Sequence, residues 1–313
     1  MVRRPLIAVT AGLALLVIGA AGARPAAQAP VPPAGEAPPV VEEGFFDAVR
    51  ERLAEADRLD DLFFYRERRT ELHTNPFGRL GTGDVSVYEV YPSEVRGLTY
   101  RRLVEEKGAP LPADELAEQD REYRERAAEV RAELAEEAAA SARETPEERE
   151  ERERREAEEL ERSRARALEQ IDDVVDAMRF TVVGRETFEG RPAVVVAFGP
   201  APRADPETRR GDLARKFVGR AWIDETAREV VYVEATSVAS ISFGLGLAAR
   251  ISDGAAATLR RAPVDEGVWM PTRVTLVGSG RAVLFLRGLA IDYEVAWFDY
   301  QPADQVPVPG LPE

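Results

Sequence analysis

The side chains that most often carry out catalysis are scarce in this chain. Its 313 residues include no cysteine and a single histidine, His73. The lack of cysteine excludes disulfides, thiolate zinc sites, iron–sulfur clusters and cysteine nucleophiles. One imidazole excludes a multi-histidine metal site, and any Ser-His-Asp triad would have to use that residue. We therefore expect no metal site and no catalytic residue.

Two acidic pairs are the remaining candidates for acid–base chemistry. Asp224-Glu225 and Asp265-Glu266 both lie beside predicted turns, where acidic side chains are ordinarily solvated. A hydrolase would require Asp224 and Asp265 to meet Asp292 or Glu294 in one cleft. We interpret the pairs as turn residues and expect a protein that is not an enzyme and has no cofactor.

The charge balance argues against nucleic acid as a partner. Lys and Arg number 42 and Asp and Glu number 57, which gives a net charge of −15. Such a surface repels phosphate backbones, and no basic patch is interleaved with aromatic residues. Residues 243–247, with two glycines and no lysine, do not form a phosphate-binding loop and are better suited to a bend or an apolar lip.

The amino terminus predicts export from the cytoplasm. Arg3 and Arg4 precede the uncharged run Leu6–Ala23, which ends in small residues, so residues 1–23 are interpreted as a signal peptide. An uncleaved anchor is the alternative, because this run approaches the length that spans a bilayer. After cleavage no stable membrane span is expected, and the Pro- and Ala-rich residues 24–43 form a disordered linker. A periplasmic or secreted location follows.

The rest of the chain alternates between two kinds of pattern. Apolar residues at helical spacing predict a helix over 45–61, and β-favouring runs follow at 63–72, 85–91 and 98–105. From residue 179 onward, strand patterns separated by short turns continue almost to the end. We place turns at Glu189–Pro192, Glu225–Arg228 and Gly278–Gly280.

The segment between these parts is strongly charged. Residues 114–169 hold 21 acidic and 12 basic residues, and Glu–Arg pairs recur three and four positions apart. We predict two long solvated helices that meet near Thr145-Pro146, with Thr145 as the cap of the second helix. Residues 112–170 are predicted to form a charged helical insertion. It either docks a protein partner or simply extends from the domain into solvent.

The last strand has one dry face and one wet face. Leu289, Ile291, Tyr293, Val295 and Trp297 alternate with polar residues. We predict an α+β fold, a strongly curved antiparallel β half-barrel of about nine to eleven strands covered by helices. Residues 44–111 and 171–301 form one discontinuous domain, and 302–313 form a C-terminal tail.

Two motifs in the strand-rich part carry a family resemblance. Gly219-Arg220-Ala221-Trp222-Ile223-Asp224 ends one strand, and Gly267-Val268-Trp269-Met270-Pro271-Thr272-Arg273 begins another. With the signal peptide and the early helix, they make the chain similar to the superfamily of periplasmic lipoprotein carriers and outer-membrane lipoprotein receptors of the Lol system. The resemblance implies a bent antiparallel half-barrel whose apolar concavity holds acyl chains.

The functional hypothesis combines this resemblance with the volume of a curled sheet. A large apolar concave face encloses more space than one short helix fills, so we expect lipid or an acylated protein as the ligand. Ile291, Tyr293, Val295 and Trp297 are the predicted ligand-binding residues. The alternative is an envelope adaptor whose hollow is filled by its own side chains and whose residues 114–169 dock a protein partner.

Overall fold

The computed structural model describes residues 40–59, 62–74, 80–93, 98–243, 249–282 and 287–310. The predicted signal peptide and most of the predicted linker lie outside these residues. The helices are α1 (Phe45–Leu59), α2 (Ala113–Ser141), α3 (Pro146–Ala177) and α4 (Arg209–Ala214), and a 3₁₀ turn spans Ala303–Gln305. The strands are β1 (Phe63–Thr74), β2 (Leu80–Tyr91), β3 (Tyr100–Glu106), β4 (Ala109–Pro110), β5 (Met178–Phe188), β6 (Arg191–Pro200), β7 (Phe217–Asp224), β8 (Val230–Ser237), β9 (Ile241–Phe243), β10 (Ala249–Ile251), β11 (Ala256–Asp265), β12 (Val268–Ala282) and β13 (Arg287–Pro302).

All of these strands join one large open antiparallel sheet. The strand order is β4-β3-β2-β1-β13-β12-β11-β8-β7-β6-β5, with β10 pairing to β12 and β9 pairing to β10. The sheet is consistent with the predicted curved half-barrel. Its thirteen strands exceed the nine to eleven expected, because β4, β9 and β10 are only two or three residues long.

One face of the sheet, here called the covered face, lies beneath helices. Phe45, Val49 and Leu53 recur every fourth residue along α1 and are buried in the main core. Ile171 and Val174 from the end of α3 join the same core, together with Ala214 of α4. Three helices therefore cover this face, where the sequence indicated one.

The end of α3 is tied to α4 by a carboxylate. Asp173 accepts hydrogen bonds from the backbone N–H groups of Glu207 and Thr208, at 2.7 and 3.0 Å, and from the Thr208 hydroxyl. Gly211 must be glycine, because a Cβ there would lie 2.3 Å from the Asp173 carboxylate oxygen. This contact holds the short helix α4 on the sheet.

Helix α2 packs on the opposite face, over β2 and β3. The Tyr123 ring stacks on Tyr100 with centroids 4.2 Å apart, and the Tyr123 hydroxyl donates to the Leu98 carbonyl at 3.1 Å. Arg102 of β3 donates two hydrogen bonds of 2.9 Å to Asp120. These contacts attach the first half of α2, whereas its second half is solvent-exposed.

Helix α3 begins where the sequence predicts. The Thr145 hydroxyl accepts from the Glu148 N–H at 3.2 Å, and the Glu148 carboxylate accepts from the Thr145 N–H at 2.8 Å, so a capping box precedes Pro146. Most of α3 before Ile171 is exposed. The division into domains, with residues 112–170 as an insertion, stays a prediction.

The predicted turn at Gly278–Gly280 is wrong. These residues lie inside β12, where Gly280 pairs with both Ile251 and Leu289. A Cβ on Gly280 would lie 2.3 Å from the Arg250 carbonyl oxygen. Glycine is needed here because the backbone of β10 approaches β12 closely. From composition alone, glycines that permit such an approach cannot be distinguished from glycines that form a turn.

None of the helices in the described parts of the chain is long and apolar enough to cross a bilayer.

A buried ion pair gives the first test of this packing. The Arg261 guanidinium of β11 binds Glu229, and each side chain is only 4% exposed. Arg261→Met removes the guanidinium partner of this buried carboxylate, so we expect a loss of about 3–5 kcal/mol in the free energy of unfolding, measured with urea. The double variant Arg261→Met/Glu229→Met should recover most of it, apart from the lost hydrogen bond to the Trp269 carbonyl. A single-variant loss below about 1 kcal/mol would contradict the pair's role.

Candidate functional site

The four predicted ligand-binding residues share the covered face of β13. Ile291, Tyr293 and Val295 are 2%, 4% and 5% exposed and belong to the main core. Trp297 is half-buried and packs at the margin of that core. The structure thus brings them together, but the main core already buries three of the four.

Strand register shows how this face changes across the sheet. A single row of paired residues on the covered face crosses from β6 to β1, and it consists of Val196, Ala221, Val233, Leu259, Val274, Val295 and Arg69. Every member is apolar until β1, where the row ends in a guanidinium. The covered face is therefore apolar over most of the sheet and charged at β1.

The charged part is a set of interacting side chains on β1, β2 and β3, here called the Glu67 network. Glu67 is 7% exposed at its side chain and accepts a 2.7 Å hydrogen bond from Arg101. Its second oxygen accepts from the indole N–H of Trp297 at 3.3 Å. Arg69 lies 3.6 Å from Glu67 and donates to Glu71 at 3.1 Å. Trp297 therefore joins the apolar part of the face to the charged part.

Tyr88 lies at the centre of this network. The Arg101 and Arg69 guanidinium carbons lie 4.8 and 5.3 Å from its ring centroid, and its hydroxyl donates to Glu71 at 3.4 Å. Cations over an aromatic ring are stabilised by the ring quadrupole. Both arginine side chains remain partly exposed, at 22% for Arg69 and 31% for Arg101.

Burial sets the protonation of this region. Burial raises the pKa of Tyr88, and it raises the pKa of Tyr293 to about 12. For Arg69, burial opposes the charge, but Glu71 and Glu67 outweigh it and the pKa is raised. At neutral pH Tyr88 of the network and Tyr293 of β13 are therefore neutral phenols.

The acidic residues needed for a hydrolase do not converge. Asp224 is fully buried in the β7–β8 turn, where it binds Arg191 and accepts from the N–H groups of Thr226 and Ala227. Burial opposes its ionisation, but Arg191 and the two N–H groups outweigh it and lower the pKa. Asp292 lies on β13, and β8, β11 and β12 separate that strand from β7.

The described residues also contain no group of three or more acidic or histidine side chains that could hold a metal ion. His73 lies in β1, in register with Gly81 of β2.

The Glu67 network was not predicted from the sequence. Its only signal is the imperfect alternation of 63–72, in which Glu67, Arg69 and Glu71 occupy positions where an apolar inner face would be expected. The pairing of Glu67 with Trp297 joins residues 230 positions apart, and local patterns do not reveal it.

Tyr293 provides a pH test of the covered face. Its pKa is raised above the usual value of 10.0, so the neutral phenol stabilises the fold fully below that value, and this contribution is lost as pH rises toward about 12. The free energy of unfolding of the unmodified protein should therefore fall by about 2–3 kcal/mol over this range. Tyr293→Phe should abolish this fall, because phenylalanine does not titrate. Urea unfolding of both proteins at several pH values measures it. Parallel pH profiles would show that Tyr293 is solvated.

The chain is similar at a low level to several solved structures. One is a putative outer membrane lipoprotein-sorting protein domain from Vibrio parahaemolyticus, with 13% identity and a TM-score of 0.23, over 42% of this chain and 45% of that chain. A DUF1329 family protein from Desulfovibrio piger has 8% identity and a TM-score of 0.26, and a LolA superfamily protein from Nitrosomonas europaea has 10% identity and the same score. Both comparisons cover 82% of this chain and 92% of the other.

No curated protein sequence matches the chain. A family model described as an FAD binding domain matches residues 33–293. This match contradicts the expectation that the protein is not an enzyme, because the family is of the flavoenzyme type, and that expectation is corrected here.

The described fold does not fit a dinucleotide. Dinucleotide sites of the Rossmann kind use parallel strands and a glycine-rich turn that leads from a strand into a helix. Within the described ranges every strand pair is antiparallel. The connections from β4 to α2 (residues 111–112) and from β6 to α4 (residues 201–208) contain no glycine. These residues therefore offer no cradle for the pyrophosphate of FAD.

The match nevertheless extends over most of the sequence, from before α1 to within β13. By this extent the chain belongs to the FAD binding domain family.

Proposed function

We propose that the protein binds an amphipathic lipid, a fatty acid or the acyl chain of a lipoprotein, at the β13–β1 junction of the covered face. The observation that carries the proposal is the row of paired residues that is apolar from β6 to Val295 of β13 and ends in Arg69 of β1. An amphiphile has the same division between tail and head.

The apolar part suits the tail of such a ligand. Burial of apolar surface contributes about 25 cal/mol per Å² and has little directional preference, so a flexible chain can replace side-chain contacts. Trp297 is the accessible member of the predicted set, whereas Ile291 and Tyr293 lie beneath the core. A chain that reaches these two residues must displace other side chains of the main core.

The charged part suits the head. Arg69 and Arg101 have partly exposed side chains, and a ligand carboxylate or phosphate would share their guanidinium donors with Glu67 and Glu71. The Glu67 network keeps both cations in place when no ligand is bound. An anionic head beside Tyr88 and a tail along β13 would then occupy the junction together.

The same proposal gives the location. Export by the predicted signal peptide would place the protein in the periplasm or outside the cell, where lipids and lipoproteins are transferred between membranes. Residues 114–169 stay available as a docking surface for a protein partner, because most of their side chains are exposed.

Calorimetric titration of the whole chain with palmitate tests this function. We expect saturable binding that Arg69→Gln weakens roughly 10- to 100-fold, because a charge-assisted hydrogen bond is lost. Trp297→Ala should weaken palmitate and neutral palmitamide alike, whereas Arg69→Gln should affect palmitate more.

Arg68→Gln is the matched control. Arg68 is the adjacent residue of β1, points to the opposite face and is half-exposed, so its substitution should change affinity by no more than about twofold. Circular dichroism of each variant checks its fold. No saturable binding, or equal effects of Arg68→Gln and Arg69→Gln, would refute the proposal.

A further inference from the structure

Two arginines face each other across the strands β10 and β12. Arg250 pairs directly with Arg281 in the antiparallel register. The two cationic residues therefore lie side by side on the same face of the sheet.

The backbone holds the pair close. Gly280 pairs with Ile251, and a Cβ on Gly280 would lie 2.3 Å from the Arg250 carbonyl oxygen. Ile251 is buried in the main core, so the adjacent Arg250 projects from the opposite face of the sheet. This location is separate from the covered face and from the Glu67 network.

The two arginines line a surface depression together with other polar groups. Its volume is about 330 Å³, and its lining residues are Ser240, Arg250, Ser252, Asp253 and Arg281. Two guanidiniums and two hydroxyls offer hydrogen-bond donors, and Asp253 is the acidic residue among them. The depression is large enough for a phosphate group with several attached atoms.

We infer that this depression binds a phosphate group, either free, as a monoester, or as the head of a phospholipid. Guanidiniums bind phosphate oxygens through paired N–H groups, and serine hydroxyls complete such sites. Asp253 repels a dianion and accepts a hydrogen bond from a hydroxyl or a protonated phosphate oxygen. The site therefore favours a phosphate that carries a proton or a neighbouring hydroxyl group.

Calorimetric titration of the whole chain with inorganic phosphate tests the site. Arg250→Gln and Arg281→Gln should each weaken binding roughly 10- to 100-fold, because each removes charge-assisted hydrogen bonds. At pH 8, where inorganic phosphate is mainly a dianion, Asp253→Asn should tighten binding, since it removes the repulsion of the anion.

Arg273→Gln is the control on the same strand. Arg273 pairs with Glu294 outside the depression, so its substitution should change phosphate affinity by no more than about twofold. An equal effect of Arg273→Gln and Arg281→Gln, an unchanged affinity in Asp253→Asn, or the absence of saturable binding would overturn the inference.

Vesicles distinguish the two sources of phosphate. Cosedimentation with phosphatidic acid in phosphatidylcholine, compared with phosphatidylcholine alone, measures headgroup binding. Arg281-dependent binding to the acidic vesicles identifies a lipid headgroup, and binding of inorganic phosphate without vesicle binding identifies a free phosphate or monoester. Binding to neither probe would refute the site. Because it uses none of the residues of the β13–β1 junction, its failure would leave the lipid proposal unaffected.

Discussion

The stability of this fold depends on helices that cover the apolar face of a single antiparallel sheet. Each strand has a dry side and a wet side, and the dry side of so large a sheet must meet helices or another apolar partner. The chain provides α1 from before β1, the end of α3 from just before β5, and α4 from between β6 and β7. Toward β1 the same face carries charged side chains that pair with one another. We propose the boundary between the apolar and the charged part as the place where a ligand binds.

The family and the fold lead to different expectations about the ligand. The family is that of an FAD binding domain, yet a dinucleotide held in the usual way needs parallel strands and a helix that starts from a glycine-rich turn. The described strands are paired in the antiparallel sense throughout, as β1 with β13 and β6 with β7 illustrate. Sheet topology constrains how a ligand can be held more directly than sequence similarity does. It favours a site built from strand faces over one at a helix terminus.

Periodicity was sufficient for the elements with strong local signals. The Thr145 capping box, the α1 stripe and the alternation of β13 each depend on residues close in sequence. The turn placed at Gly278–Gly280 was wrong because glycine also permits close strand approach, and the partner strand β10 is nearly 30 residues away. The junction of Glu67 with Trp297 is likewise set by pairing between the first strand and the last. Contacts between strands that are far apart in sequence depend on the order of strands in the sheet. Local patterns in a single sequence indicate that order only weakly.

The central claim is that an acyl chain lies along β13 with its head at β1. Photolabelling with a diazirine fatty acid, followed by peptide mapping, locates the contact directly. Labels within Arg287–Pro302 and Leu80–Tyr91, displaced by excess palmitate, are the predicted result. Labels concentrated on Phe217–Asp224 and Val230–Ser237, or labelling that excess palmitate does not reduce, would contradict it.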